Sequence, residues 1–258
     1  MSEPEPQAEQ QREPQTEQQM PPTNPVAVLG NGKSLKDFDF KSLKMDSIGM
    51  CLAYRHWNKI DWFPTYYCCV DHVVLKHNID DIKEFIKKDK CKGYLLTKSC
   101  LSYWREAESN DKILFLEDLQ NQQGNPFRYL RSWCTGTSSF LFSVILGYND
   151  IHVFGMDCNY VEFLPETEQL ENGTLRIKKT PKTNPNYFIE DYQRVGDVYN
   201  KPNTDSVQRP SWEDLVFVLT GYTRLNNFML NVFNFSIEGV DSLRNYFKTM
   251  DLSEFKQG

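Results

Sequence analysis

The stretch Val26–Ser34 reads V-A-V-L-G-N-G-K-S, and its reading decides the fold. Four apolar residues run straight into Gly30-Asn31-Gly32, the pattern of a buried parallel strand that ends in a tight, glycine-bearing turn. Glycines at the carboxyl end of a strand let the backbone approach a ligand closely, and the amides of such a turn can face a phosphate. A Walker A loop requires glycine five positions before Gly32, where Ala27 stands, so Lys33-Ser34 repeats only the tail of that motif. A dinucleotide fingerprint G-x-G-x-x-G requires glycine at Leu35. Two readings stay open on this segment: a nucleotide-recognition edge of another kind, or a strand-to-loop turn with no ligand.

The segments on either side extend the pattern. Ser47–Ala53 reads as a second strand, with Tyr54, Arg55, His56 and Trp57 at its carboxyl end, where open α/β sheets place their ligand crevice. Tyr66–Val70 is a third strand closing on Asp71-His72, and Gly93–Thr97 and Ile113–Leu116 are further short strands. Ile79–Asp89, apolar at 79, 82, 85 and 86, is an amphipathic helix, and Asn121–Pro126 a loop. In Trp133–Tyr148 a polar cluster, Thr135-Gly136-Thr137-Ser138, precedes an almost wholly apolar helix stopped at Gly147. Such a helix must be buried, and its N-terminus offers amides and hydroxyls to an anion. Simple N-capping accounts for one of those hydroxyl residues. Ile151–Gly155 is then a buried strand ending in Met156-Asp157.

Strand, turn, helix and strand at this spacing form a βαβ pattern. The predicted fold class is therefore α/β: a Rossmann-like, mainly parallel sheet flanked by helices. Trp212–Leu225 is a helix, Met229–Phe235 the last strand and Val240–Phe247 a last short helix. Asn159–Asn203 is a long polar excursion. Its Tyr187, Phe188, Tyr192 and Tyr199 argue for order, and a lid over a ligand is the expectation. Residues 1–25, rich in Glu, Gln and Pro, read as a disordered tail, and 26–258 as a single domain.

Composition narrows the function classes. The chain of 258 residues is 40% hydrophobic and 14% aromatic, enough for a substantial core. Of the net charge of −6, the tail holds −4, from five glutamates against Arg12 alone. No basic stripe marks the body as a nucleic-acid binder. Seven cysteines without a C-x-x-C pair favour buried thiols in a reducing, cytoplasmic setting. No signal peptide or membrane-spanning run is expected. Asp37-Phe38-Asp39 is the kind of acidic pair that many metal-dependent sugar transferases place at a strand end, or else a solvated loop.

Three segments together resemble glycosyltransferase family 42, the bacterial sialyltransferases, and the MptE-like (DUF115) group. Residues 30–39, G-N-G-K-S-L-K-D-F-D, are similar to that family's opening nucleotide-binding loop. Residues 135–157, from T-G-T-S-S to I-H-V-F-G-M-D, resemble its helix and strand, and Asn184–Asn203 resembles the N-P-N-Y-F-x-x-D-Y region of the wider group. The resemblance implies a variant of the GT-A type of sheet. It implies nucleotide contacts from Gly30, Asn31, Gly32 and Ser34, with Thr135, Gly136 and Thr137 beside the phosphate or sugar. Asp157 would sit at the ligand edge, with Tyr160 near the family's phosphate-stabilising tyrosine. Two positions depart: the family's asparagine after the second strand is replaced near Ala53-Tyr54, and its lid histidine aligns with Asn186. An amide cannot serve as a proton acceptor.

Sugar transfer from a nucleotide donor to a glycan or small-molecule hydroxyl needs a base and a means of stabilising the departing phosphate. The base is expected at Asp191, with Glu190 or Asp157 as substitutes. Tyr187, Tyr192, Arg194 and the amides near Gly136 would stabilise the leaving group. No cofactor is required on this reading, although a divalent metal is compatible with it. Two alternatives remain: diphosphate transfer from ATP with magnesium on Asp157 and Asp191 or Asp197, as the MptE-like resemblance implies, and a binding module without turnover.

Overall fold

In the computed structural model, residues 23–160, 164, 166–201, 209–240 and 243–255 are described; most of the expected tail, 1–22, lies outside them. Val26, Ala27, Val28 and Leu29 have no exposed surface, as the continuous apolar run of a strand covered on both faces requires. They belong to β1 (Pro25–Leu29), followed by β2 (Asp46–Met50), α1 (Tyr54–Ile60), β3 (Tyr66–Cys69), α2 (His72–Lys87) and β4 (Gly93–Leu96). Next come β5 (Ile113–Phe115), α3 (Leu116–Asn121), α4 (Thr135–Ile145) and β6 (Asp150–Phe154). The excursion carries β7 (Thr167–Gln169), β8 (Thr174–Ile177) and β9 (Val198–Asn200), and α5 (Arg209–Asn226), β10 (Asn231–Ser236) and β11 (Lys248–Asp251) complete the described elements.

The main sheet has eight strands in the order β11-β10-β6-β1-β2-β3-β4-β5, paired in parallel throughout. The chain builds from β1 out to β5, returns, and then builds from β6 out to β11. The strand order therefore reverses between β1 and β6, the point at which open α/β sheets leave a crevice above their carboxyl ends. The predicted α/β class is the observed one.

Residues 135–144 of α4 are buried without exception, and the helix packs across β1, β2 and β3. Gly147, at φ +89°, lets the chain leave the helix through the left-handed region that other residues resist. The second helix begins at His72, earlier than expected. Asp71 caps it, and the kink at Asn78 (φ −128°) interrupts the periodicity that becomes legible only from Ile79.

Four local expectations are corrected. The second strand stops at Met50, because Cys51 turns into the left-handed region (φ 50°) and Tyr54–Trp57 enter α1. Among its described residues Val240–Phe247 forms turns rather than a helix, and Met229–Phe235 is not the last strand, since β11 extends the sheet beyond it. The polar excursion contains an antiparallel sheet, β7-β8-β9, too short and too polar for its alternation to be read.

Candidate nucleotide site

The turn after β1 is shaped by close approach to the end of β6. Gly30 N–H donates to Phe154 C=O at 2.7 Å and Gly32 N–H to Gly155 C=O at 2.8 Å. A methyl group on Gly30 would stand 2.2 Å from the Gly155 carbonyl oxygen, and one on Gly32 would stand 2.3 Å from Cγ of Asp157. Glycine is needed at both positions for space. Asp157 accepts from Ser34 N–H at 2.8 Å and from the Ser34 hydroxyl, which pins the turn to the sheet. Burial pushes the Asp157 carboxyl up, against the lowering effect of those donors.

Above this turn lies a cavity of about 430 Å³. Its floor is the row of strand ends, with Asn31 and Gly32 after β1, Cys51 and Leu52 after β2, and Gly155 to Cys158 after β6. Trp133, Thr135 and Gly136, at the start of α4, and Tyr160, Tyr187, Tyr192 and Tyr199 of the excursion form its walls. Tyr187 and Tyr192 stack with centroids 3.9 Å apart. The tyrosine wall is fastened to the floor: Asn31 Nδ2 donates to Tyr192 Oη at 2.8 Å, and Phe188 N–H to Asn31 C=O at 3.1 Å. Asn31 Oδ1 is buried with no donor among the described residues. Cys51 and Cys158 in this floor both take left-handed backbone angles (φ 50° and 51°), strain of the kind that collects at binding sites.

The expected site residues fall into three groups. Asn31, Gly32, Thr135, Gly136, Asp157, Tyr160, Tyr187 and Tyr192 line this one cavity. Gly30, Ser34 and Thr137 support it from beneath. The Thr137 hydroxyl accepts from Cys134 N–H at 3.0 Å and donates to Cys134 C=O at 3.1 Å, closing the start of α4. Asp191, Glu190, Asn186 and Arg194 do not line it. Asp191 accepts from Lys59 Nζ at 2.7 Å and from Arg194 at 2.9 Å on another face. Burial pushes its carboxyl up, but Lys59 and Arg194 outweigh that and hold it below its ordinary value of 3.8. The pair therefore stabilises the fold above that value and loses its contribution as pH falls through the lowered one. At neutral pH Asp191 is ionised, paired with Lys59 and Arg194, and outside the cavity. Glu190 is exposed and accepts from Asn184 N–H at 3.1 Å.

Asp37 and Asp39 are exposed and do not line the cavity; Asp39 accepts from Lys41 N–H within its own turn. The Asp157–Asp191 pair is not assembled, and Asp157 and Asp197, which do share the cavity, each hold donors of their own. His56 packs against Phe40 and Phe188. The cavity also has members that no motif singled out: Asp71, His72 and Lys201. The one signal for the first two was their place directly after a strand.

Fold and cavity together define a class: a parallel α/β sheet with a ligand crevice at its switch point. The sequence matches no family model, and no similar curated protein is found. Among solved structures, the MAf glycosyltransferase from Magnetospirillum magneticum AMB-1 shares the fold with a TM-score of 0.50 at 12% identity, over 90% of this chain and 34% of that one. The alpha-2,3-sialyltransferase Cst-I from Campylobacter jejuni gives 0.49 at 12% identity, over 91% and 83%. The sialyltransferase CstII from the same organism gives 0.47 at 11%, over 91% and 90%. At 12% identity the likeness to the MAf glycosyltransferase is one of fold alone. No described helix is long and apolar enough to cross a membrane.

Proposed function

We propose that the protein is a glycosyltransferase that moves a sugar from a nucleotide-sugar donor to a hydroxyl of a glycan or small-molecule acceptor. The observation that carries this reading is the convergence of the Asn31-Gly32 turn and the Thr135-Gly136 start of α4 on one cavity beneath a wall of tyrosines. The first turn of α4 offers backbone amides to a phosphate. Asn31 on the cavity floor is placed to meet the ribose or the base. Burial raises the phenols of Tyr160 and Tyr187, so both remain O–H donors for the charge that develops on the departing phosphate.

A donor panel tests the reading. CMP-N-acetylneuraminate, UDP-N-acetylglucosamine and GDP-mannose are incubated with the protein, and nucleotide release is followed with and without magnesium. One of the three is expected to turn over, and the matching nucleotide to raise the melting temperature without metal. Asp191→Asn should keep that turnover within a few-fold and lose only the small contribution of a partly exposed ion pair, about 1 kcal/mol or less. Stabilisation by ATP with magnesium alone would point to diphosphate transfer instead, and binding without any hydrolysis to a module that only binds.

A further inference from the structure

The proposed transfer requires a group to take the acceptor's proton, and the carboxylates on the described cavity wall are already engaged. Asp157 is held by Ser34. Asp197 is clamped by the Arg55 guanidinium and accepts from Arg194 N–H at 2.6 Å. Asp71 accepts from Val73 N–H at 2.8 Å, from Val74 N–H at 3.2 Å and from the Asn200 amide at 3.1 Å. The phenols are held protonated by burial, Tyr199 being pushed up to about 12.

His72 differs from all of these. It is the first residue of α2, it is exposed on the cavity wall, and its imidazole makes no hydrogen bond among the described residues. It is also the one histidine among the described lining residues. An imidazole is the side chain suited to exchanging a proton at neutral pH. The strand end that carries it lies two strands from β1. At a strand spacing of roughly 4.8 Å, His72 stands about 10 Å along the sheet edge from the Asn31-Gly32 turn. A sugar carried by a nucleotide over β1 and α4 would have His72, on the same cavity wall, within its reach.

We infer that His72 is the general base that deprotonates the acceptor hydroxyl, an inference that rests on the glycosyltransferase reading of this cavity. In the step, the acceptor oxygen forms a bond to the anomeric carbon while the bond from that carbon to the phosphate oxygen breaks. The bonding pair leaves with the nucleotide. The hydroxyl proton passes to the unprotonated ring nitrogen of His72, and the exposed imidazolium returns it to solvent. Water takes the acceptor's place in donor hydrolysis, so the same base serves both reactions.

The test combines CMP and UDP titration with turnover of the three donors named above, in wild type, His72→Gln, His72→Ala and His77→Gln. His77 lies further along the same helix, exposed and away from the cavity, and serves as the control. The His72 variants should keep nucleotide affinity within about threefold while kcat falls about 10²–10⁴-fold, with partial recovery of His72→Ala by added imidazole. His77→Gln should match wild type. A wild-type kcat in His72→Gln, with intact donor turnover in the parent, overturns the base assignment and leaves the glycosyltransferase reading standing. A parent protein that binds neither nucleotide and hydrolyses no donor overturns both, and one that binds without turnover leaves His72 no catalytic role.

Discussion

Gly30→Ala should lower the stability of the fold by about 3 kcal/mol and abolish nucleotide binding with it. The added methyl group would stand 2.2 Å from the Gly155 carbonyl oxygen, a backbone atom that no side-chain rotation can move aside. Relief requires β1 and β6 to separate at the point where the strand order reverses, which opens the floor of the cavity. Urea denaturation reads the effect. The contrasting substitution is Gly221→Ala, within α5, where nothing lies within 4 Å of the added carbon. There alanine should stabilise by about 0.5–1 kcal/mol through its helix preference. A Gly30→Ala protein with the wild-type midpoint would show that the two strand ends are not packed as described.

Arg55→Met should be as damaging, at about 3–5 kcal/mol. The guanidinium is 5% exposed and joins three parts of the molecule. It pairs with both oxygens of Asp197 in the excursion, donates to Tyr192 C=O at 2.7 Å, and donates to Asn78 Oδ1 at 2.8 Å at the kink of α2. Loss of the cation leaves the Asp197 carboxylate buried without its counter-charge. Replacing both residues by apolar ones removes that penalty, so Arg55→Met with Asp197→Leu should regain most of the stability. The wall that carries Tyr187 and Tyr192 should meanwhile become open to proteolysis in the single variant. A single variant within 1 kcal/mol of wild type would mean that the excursion is fastened elsewhere.

Much of the sheet is legible in the sequence because burial on both faces leaves contiguous apolar runs. Residues 26–29 and 66–70 are read as strands for that reason, and the largely apolar second half of α4 likewise announces its burial. Edge and excursion strands escape the same reading. β11, K-T-M-D, is short, polar and on the margin of the sheet, and β7 to β9 are three or four residues each. The turn glycines were legible as sites of close approach, though not the atoms they approach. Partner identity across the chain is what motif reading cannot supply. Asp191 is read as a base because its partner Lys59 lies 132 residues away in sequence, and the Arg55–Asp197 pair spans 142. His72 is visible as a strand-end residue, but its place on the cavity wall, with no hydrogen bond among the described residues, exists only in the fold.

Calorimetric titration of the wild-type protein with CMP and with UDP, in the absence of magnesium, addresses the central claim most directly. One of the two nucleotides should bind saturably at a single site, and Asn31→Ala should weaken that binding at least about tenfold, the worth of one buried acceptor near 1.4 kcal/mol. Absence of binding by both nucleotides, or equal binding by wild type and Asn31→Ala, would contradict a nucleotide site between the strand ends and the tyrosine wall.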